Sequence, residues 1–358
     1  MNIDFHYGVI YVVTRLAGFD QAEAQTIAHA CQYVDDSTVP GVLEFEGGQS
    51  YDRFASAHEM LDYKNTQNSR DKLVWAPFHF LPAGQGETLE EKSVCHPNSE
   101  IAQKMVKRAI EGRNAENGLH RLGVTLHVYV DTWAHQHFTG TISAHNVVTS
   151  LKSDDHHPDT LLGTLKSYVG AAEDAAESEV IDLISKLGHG AALHFPDLPW
   201  AKWEYVNGHG IPISRENLGI FLDAANMAHK AARGFRSGNV DYLEEDGLPE
   251  EAQTALRGQF ESNRSENPEE RLAVFKKAVG EGAIPGIHEQ LPAYVAKGPD
   301  SWKHAATGIT ETDTDGDNKP KWSENFEQSD YRKFHDAVKE HRFVVMQEIL
   351  PAHGVRLA

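Results

Sequence analysis

Cysteine is nearly absent from this chain of 358 residues: Cys31 and Cys95 stand alone and form no CxxC pair. That argues against thiolate zinc sites and against a disulfide framework. Basic residues are also scarce, 33 Lys and Arg against 53 Asp and Glu, for a net charge of −20. Binding to bulk nucleic acid or anionic membrane needs clustered Lys and Arg, so neither is expected. A small phosphoester or phospholipid substrate stays compatible, because bound metal ions would supply the local positive charge. Long apolar runs are missing too. The N-terminal stretch is short, is interrupted by Arg15 and has no basic leader, so it reads as neither secretory signal nor membrane span. The expected location is the cytoplasm, or outside the cell as a leaderless effector. There is no GxGxxG, GxxxxGK or GxSxG and no internal repeat, which removes the simple dinucleotide, NTPase and serine-hydrolase readings. Strand-like alternation is almost absent, so the fold is expected to be mainly α.

What the chain has in excess is histidine, 21 residues, set among acids. The stretch 118–140, GLHRLGVTLHVYVDTWAHQHFTG, organises the rest. His127, Asp131 and His135 are spaced i, i+4, i+8, and each step of four turns only about 40° on a helix, so the three form one narrow stripe. Imidazole, carboxylate and imidazole aimed at one point suit zinc, whose nitrogen and oxygen ligands sit at about 2.0–2.2 Å. His120 falls on the same side, and Gly123 leaves room for a close neighbour. Leu119, Leu122, Leu126, Val130 and Trp133 make the helix apolar nearly all round, and polar residues lined up on a buried helix need partners.

In chain order, residues 3–17 read as a helix ended by Gly18, with Asp4 and His6 at its start. A second helix runs from 21 to about 36, capped by Asp20 with Glu23 three residues on. It ends on Asp35 and Asp36, two acids at the helix terminus that disfavours them, which a metal would compensate; solvated acids before a turn are the equal alternative. Residues 40–100 are irregular and rich in Gly and Pro, and loops of that length are more often functional than idle. His79 sits in an apolar collar of Trp75, Pro77, Phe78 and Phe80. His58 is its rival as a ligand. Helix 99–113 is amphipathic. The loop SDDHHPDT, with Asp154, Asp155, His156, His157 and Asp159, reads as a solvated turn before a second metal patch. An alanine-rich helix over 162–187 leads to LGHGAALHFPDLPW, where His189, His194 and Asp197 stand in a loop stiffened by proline and close to aromatics. Trp200, Trp203 and Tyr205 read as core ahead of a substrate wall. NGHGIP sets His209 between glycines, and another amphipathic helix covers 214–235.

Beyond residue 235 the composition shifts to charged, weakly apolar helices. The division is a metal-binding helical domain over 1–235 and an outer helical layer over 236–358. Within that layer DTDGDNKPKWSE places Asp313, Asp315, Asp317 and Glu324 at positions 1, 3, 5 and 12 of a calcium loop. Asn318 replaces the usual glycine and Pro320 follows it, so a plain acidic turn stays open beside the calcium reading.

At this point HVYVDTWAHQHF resembles the HxxxD core helix of the zinc-dependent phospholipase C/P1 nuclease superfamily, and its Het-C-like branch above all. The segments IDFHYGVIYVVTRLAGF and CQYVDD also resemble a bacterial family of unknown function of about this length. The superfamily resemblance implies a multi-helix phospholipase C/P1 nuclease-like bundle with long loops, holding two or three zinc ions. Carried over residue by residue, it implies His6, Asp35, His79, His127, Asp131, His135 and His189 as ligands, with Asp197 joining them. The function expected on this reading is a phosphodiester hydrolase in which a hydroxide bridges two cations about 3.5–4 Å apart across Asp131, with Asp36 orienting the histidines. The chain departs from the pattern in opening with Met1 where the family has a processed Trp, and in lacking an acid four residues after His189. A third histidine six after the Asp would select His137 over His135. The alternatives are an HD-like phosphohydrolase, whose adjacent His-Asp pair is missing here, and a non-enzymatic, metal-stabilised binding or toxin-associated module with a closed coordination sphere.

Overall fold

The computed structural model describes residues 1–57, 72–154, 188–312, 314–316 and 319–357. The expectations for His58, for 155–160 and for the helix over 162–187 lie outside the described residues, as do those for Asp313 and Asp317. The described chain is mainly helical with two small sheets.

At its centre lies α6, Gly118–Ala134, whose side chains are buried all round apart from Leu119 and Arg121 near its start. It carries Val124, Thr125, Val128, Val130 and Thr132, β-branched residues that lower helix propensity. Surrounding helices therefore hold it in shape, as tertiary packing does for most helices in proteins. Those helices are α2 (Gln21–Asp36), α5 (Glu100–Glu111), α7 (Asn217–Ser237) and α12 (Asp330–Phe343), with the short α3 (Lys72–Phe78) at one end. The α2 start follows its capping box: Asp20 accepts from the Glu23 amide and Glu23 accepts from the Asp20 amide, both at 2.9 Å.

Glycine sets the distance between α2 and α6. A Cβ on Gly123 would stand 2.5 Å from the Ile27 carbonyl oxygen and 2.6 Å from the Ala30 Cβ. No other residue allows that approach. It brings the last two turns of α2, from Cys31 to Asp35, alongside His127 and Asp131.

The chain enters through a widened, i→i+5 turn over Asp4–Val9 that runs on as α1, Ile10–Leu16. Such turns cluster at functional sites. This one is pinned from outside: the Arg271 guanidinium grips Asp4 with two bonds of 2.8 and 2.9 Å, both residues buried. Arg271 lies on α9 (Pro268–Gly280), which follows α8 (Glu250–Ser262). Residues on either side of 235 share one core, in which Phe5 packs on Phe260 and Tyr33 on Phe334.

Two sheets appear where strand patterning was not read. β1 (Gly41–Glu44) and β2 (Ser50–Arg53) form a hairpin inside the stretch taken as irregular. β3 (Val148–Ser153), β4 (Lys202–Asn207) and β5 (Pro212–Glu216) form an antiparallel sheet in that order. Its β4 turns Trp203 and Tyr205 inward onto Phe195 and Phe138, a second, smaller core. Strand β5 supplies Arg215, buried, which donates to the Trp133 and Ala134 carbonyls at 3.0 and 2.7 Å. These are the last carbonyls of α6, where a cation is favoured. No helix among the described residues is long and apolar enough to cross a membrane.

Candidate metal centre

The α6 stripe points into the protein, and side chains from four other segments meet it. His127 and Asp131 come from α6. His135 is the residue that closes the helix, its amide still bonded to the Asp131 carbonyl at 2.8 Å. His6 comes from the widened N-terminal turn, Asp35 from the end of α2, His79 from just beyond α3, and His189 and Asp197 from the loop after residue 188. His6, His127 and Asp131 form one group whose ligand atoms lie within 4.8 Å of each other. Asp35, His79 and His127 form a second on the same criterion, and His135, His189 and Asp197 a third. The structure thus brings all eight expected residues together.

Asp131 is the hub. Its Oδ1 takes the Met1 ammonium at 2.5 Å and His6 Nε2 at 3.0 Å. Its Oδ2 faces His127 Nε2 at 3.4 Å, His135 Nδ1 at 3.6 Å and His79 Nδ1 at 3.7 Å. The Met1 ammonium is fully buried and reaches Asp197 at 3.3 Å as well. Burial alone would lower its pKa, but the Asp131 and Asp197 carboxylates raise it to about 11.

The imidazoles share a pattern. His127 Nδ1 bonds the Cys31 carbonyl at 2.9 Å, His79 Nε2 the Ser56 carbonyl at 2.9 Å, and His135 Nδ1 the His79 carbonyl at 2.6 Å. His189 Nδ1 reaches the Leu193 carbonyl at 3.3 Å, and Leu193 adopts a positive φ of 56° that a leucine rarely takes. A carbonyl can only accept, so each of these nitrogens carries the proton. The other ring nitrogens of His127 and His79 meet each other at 3.3 Å, and these two and that of His189 face the carboxylates. Phe80 stacks on His135 at 4.5 Å between centroids and fixes the ring plane.

Burial keeps the His127 and His135 imidazoles neutral, the latter with its pKa lowered to about 3. His6 behaves differently, because Asp131 and Asp35 outweigh its burial and raise its pKa above the usual value. Burial would raise the Asp35 carboxyl, but His127, His6 and His79 bring it down to about 2. Asp131 and Asp197 are likewise held well below the usual carboxylate range, against their burial, by the Met1 ammonium and the histidines.

Two features show that cations fit here. Asp131 Oδ2 is buried and accepts no hydrogen bond from the described residues, and Asp197 Oδ1, also buried, has the Met1 ammonium 3.3 Å away without a well-directed hydrogen bond. Buried carboxylate oxygens of this kind are costly. Among the described residues, three ionised carboxylates face only one ammonium and one imidazole with a raised pKa, which leaves net negative charge in a mostly buried space. Divalent ions would neutralise it, and lone pairs with carbonyl-anchored far nitrogens are what such ions require.

Some expectations are corrected by this geometry. Asp36 orients none of the histidines: it accepts from the Tyr294 hydroxyl at 2.5 Å and from Gln32 at 3.1 Å. Adjacent residues on a helix point about 100° apart, so Asp35 and Asp36 cannot serve the same centre. Main-chain carbonyls do the orienting in its place. His120 shares the stripe's face but lies seven residues, about 10 Å, back along the axis, and pairs with Asp330 at 3.0 Å. Between the two histidines after Asp131, His135 joins the cluster, whereas His137 sits at φ 75° against His96. Asp315 of the calcium loop is engaged by Arg53 at 2.9 and 2.7 Å, and Glu324 is exposed at the start of α11, Glu324–Gln328.

A family profile matches residues 1–349. The chain belongs to the family of unknown function DUF6765. No curated protein and no solved structure matches it. All eight clustered residues of this DUF6765 member fall inside the matched span.

Proposed function

We propose that this protein is a metal-dependent phosphoesterase whose centre holds two or three divalent ions, zinc by the chemistry of its ligands. The observation that carries the reading is the set of four imidazoles tied through one nitrogen to main-chain carbonyls around the buried carboxylates of Asp131 and Asp197. Mixed imidazole and carboxylate donors without thiolate suit zinc and its neighbours. Asp35, His79 and His127 would hold one ion, and His135, His189 and Asp197 another. Asp131 stands between them, with His6 and the Met1 amine behind it. Bound ions would supply activation of water and neutralisation of charge on a phosphoryl group.

The chain's own residues contribute orientation and exclusion. The carbonyl bonds fix each tautomer, so the lone pairs are aimed before any ion arrives. Phe80 and Trp75 wall off His79 and His135. Asp35, with its side chain a third exposed, is the most open member of the cluster and marks the side from which a substrate reaches it. The resemblance to the phospholipase C/P1 nuclease superfamily agrees with this chemistry, and the net charge of −20 favours a small phosphoester over a nucleic-acid polymer.

Metal analysis of protein purified without added metal should find near-stoichiometric zinc. Asp131→Ala should lose that zinc and, with it, hydrolysis of bis-p-nitrophenyl phosphate. A metal-free protein with full turnover would end the proposal. Bound zinc without turnover on phosphodiester, lipid or single-stranded DNA substrates would favour a metal-stabilised binding module.

A further inference from the structure

Away from the buried centre, and sharing no residue with it, a second group of ligand-type side chains meets at the surface. Glu90 lies on the short helix α4, Leu89–Lys92; His145 lies on the turn Ala144–Asn146; His209 sits at the tip of the β4–β5 hairpin. Their ligand atoms lie within 4.8 Å of one another. His209 Nε2 is 3.5 Å from Glu90 Oε1, and the two imidazole centroids are 4.5 Å apart.

Each of the three is held from behind. Glu90 Oε1 accepts from the Ser143 hydroxyl at 2.7 Å and from the Ala144 amide at 3.3 Å, which aims the carboxylate at the turn carrying His145. The His145 amide donates to Ser143 Oγ, and the His209 amide to Asn207 Oδ1, both at 3.0 Å. The two turns are locked together, since the Gly208 amide donates to the Ala144 carbonyl at 3.0 Å. A Cβ on Gly208 would stand only 2.5 Å from that same oxygen, so glycine is what lets the turns meet. The spacing of the two histidines is therefore set by main chain, not by free side chains. Two imidazoles packed beside one carboxylate, with Glu90 and His209 open to water, make three converging donors and room for solvent.

We infer that Glu90, His145 and His209 bind one divalent transition-metal ion, distinct from those of the buried centre, which ties the β4–β5 hairpin and α4 to the segment leading into β3. Two nitrogens and one oxygen suit zinc, nickel or cobalt ahead of magnesium or calcium, which prefer all-oxygen shells. Water completes the shell, so the ion exchanges more readily than any in the buried cluster.

The test uses the full chain with zinc and compares wild type with H145Q/H209Q and, separately, Glu90→Gln. All three are dialysed at the same micromolar free zinc, and zinc per chain is measured by mass spectrometry. Wild type is expected to hold one more zinc per chain than the double variant. Glu90→Gln should bind that ion at least tenfold more weakly, and far-ultraviolet dichroism should match in all three. Equal zinc content in wild type and folded variants overturns the inference. The comparison is a difference between proteins that keep the buried cluster intact, so it holds whether or not that cluster proves to be metal-loaded. Phosphodiester turnover at saturating zinc should be the same in wild type and H145Q/H209Q, which separates this ion from the proposed hydrolytic site.

Discussion

Most histidines of the buried cluster are two-ended devices, with one nitrogen on a main-chain carbonyl and the other turned into the cluster. They differ in how much else depends on them. His127 is fully enclosed and shared between two of the ligand groups, whereas His189 has its side chain a fifth exposed and serves one. His189→Asn should therefore cost one ion and leave the fold intact. Zinc per chain should fall by about one without a shift in the dichroism spectrum; full zinc content would show that His189 is not a ligand. His127→Asn should disturb both groups it joins, leave only the ion of His135, His189 and Asp197, and lower thermal stability of the metal-loaded protein, because ions that bind only the folded state stabilise it by mass action. The α6 ligands were legible because helix geometry converts a spacing of four into a shared face. His79, His189 and Asp197 were legible only as ligand types in stiff loops, since nothing in sequence spacing says where a loop returns. The carbonyls of Cys31, Ser56 and Leu193 were not legible at all, because every residue carries one. Asp36 was credited with their task for want of that information.

At the scale of elements, the contact between α2 and α6 builds the site, and Gly123 controls it. Gly123→Ala would force its methyl against the Ile27 carbonyl oxygen, which is main chain and cannot rotate away. Overpacking of this kind typically costs about 1–3 kcal/mol. The helices must part, which carries Asp35 and the Cys31 carbonyl away from His127. Denaturant unfolding should show the destabilisation, and zinc affinity should fall in parallel. A variant with wild-type stability would mean that the crossing is looser than the geometry shows. Both helices were readable in advance, α2 from its capping box and α6 from its apolar surround, and Gly123 from its position between His120 and His127. The strands were not. β4 does alternate, Lys202 and Glu204 outward with Trp203 and Tyr205 inward, but the run is six residues long and stands beside prolines and glycines. Arg215, which closes the α6 carbonyls from β5, went unnoticed for the same reason: its partner is defined by sheet register and by no local pattern.

The whole molecule carries an unusual load of buried, neutral histidine, and this sets how it responds to acid. His341, not a member of the metal cluster, bonds the Pro77 carbonyl at 2.9 Å and stacks on Phe78; burial lowers its pKa to about 4. His29 stacks on Trp302 at 3.8 Å, and burial takes it to about 3. His335 and His229 are lowered as well, again by burial. In the unfolded chain each of these groups takes up a proton near 6.5, whereas in the folded protein each resists protonation until far lower pH. Between those values the unfolded state binds more protons, so stability falls as pH falls, by about 1.4 kcal/mol per pH unit for each such group. His6, raised above its usual value, acts in the opposite sense, but it is one against several. Metal-free protein, kept so with a chelator to remove the separate contribution of the ligands, should lose stability steeply from about pH 6.5 towards pH 4. His341→Gln, whose amide can still donate to the Pro77 carbonyl, should flatten that slope by about one group's share. The measurement is urea unfolding across the acid range for both proteins. Parallel slopes would mean that His341 takes up its proton in the folded state as easily as in the unfolded one, against what its enclosure and its carbonyl partner require.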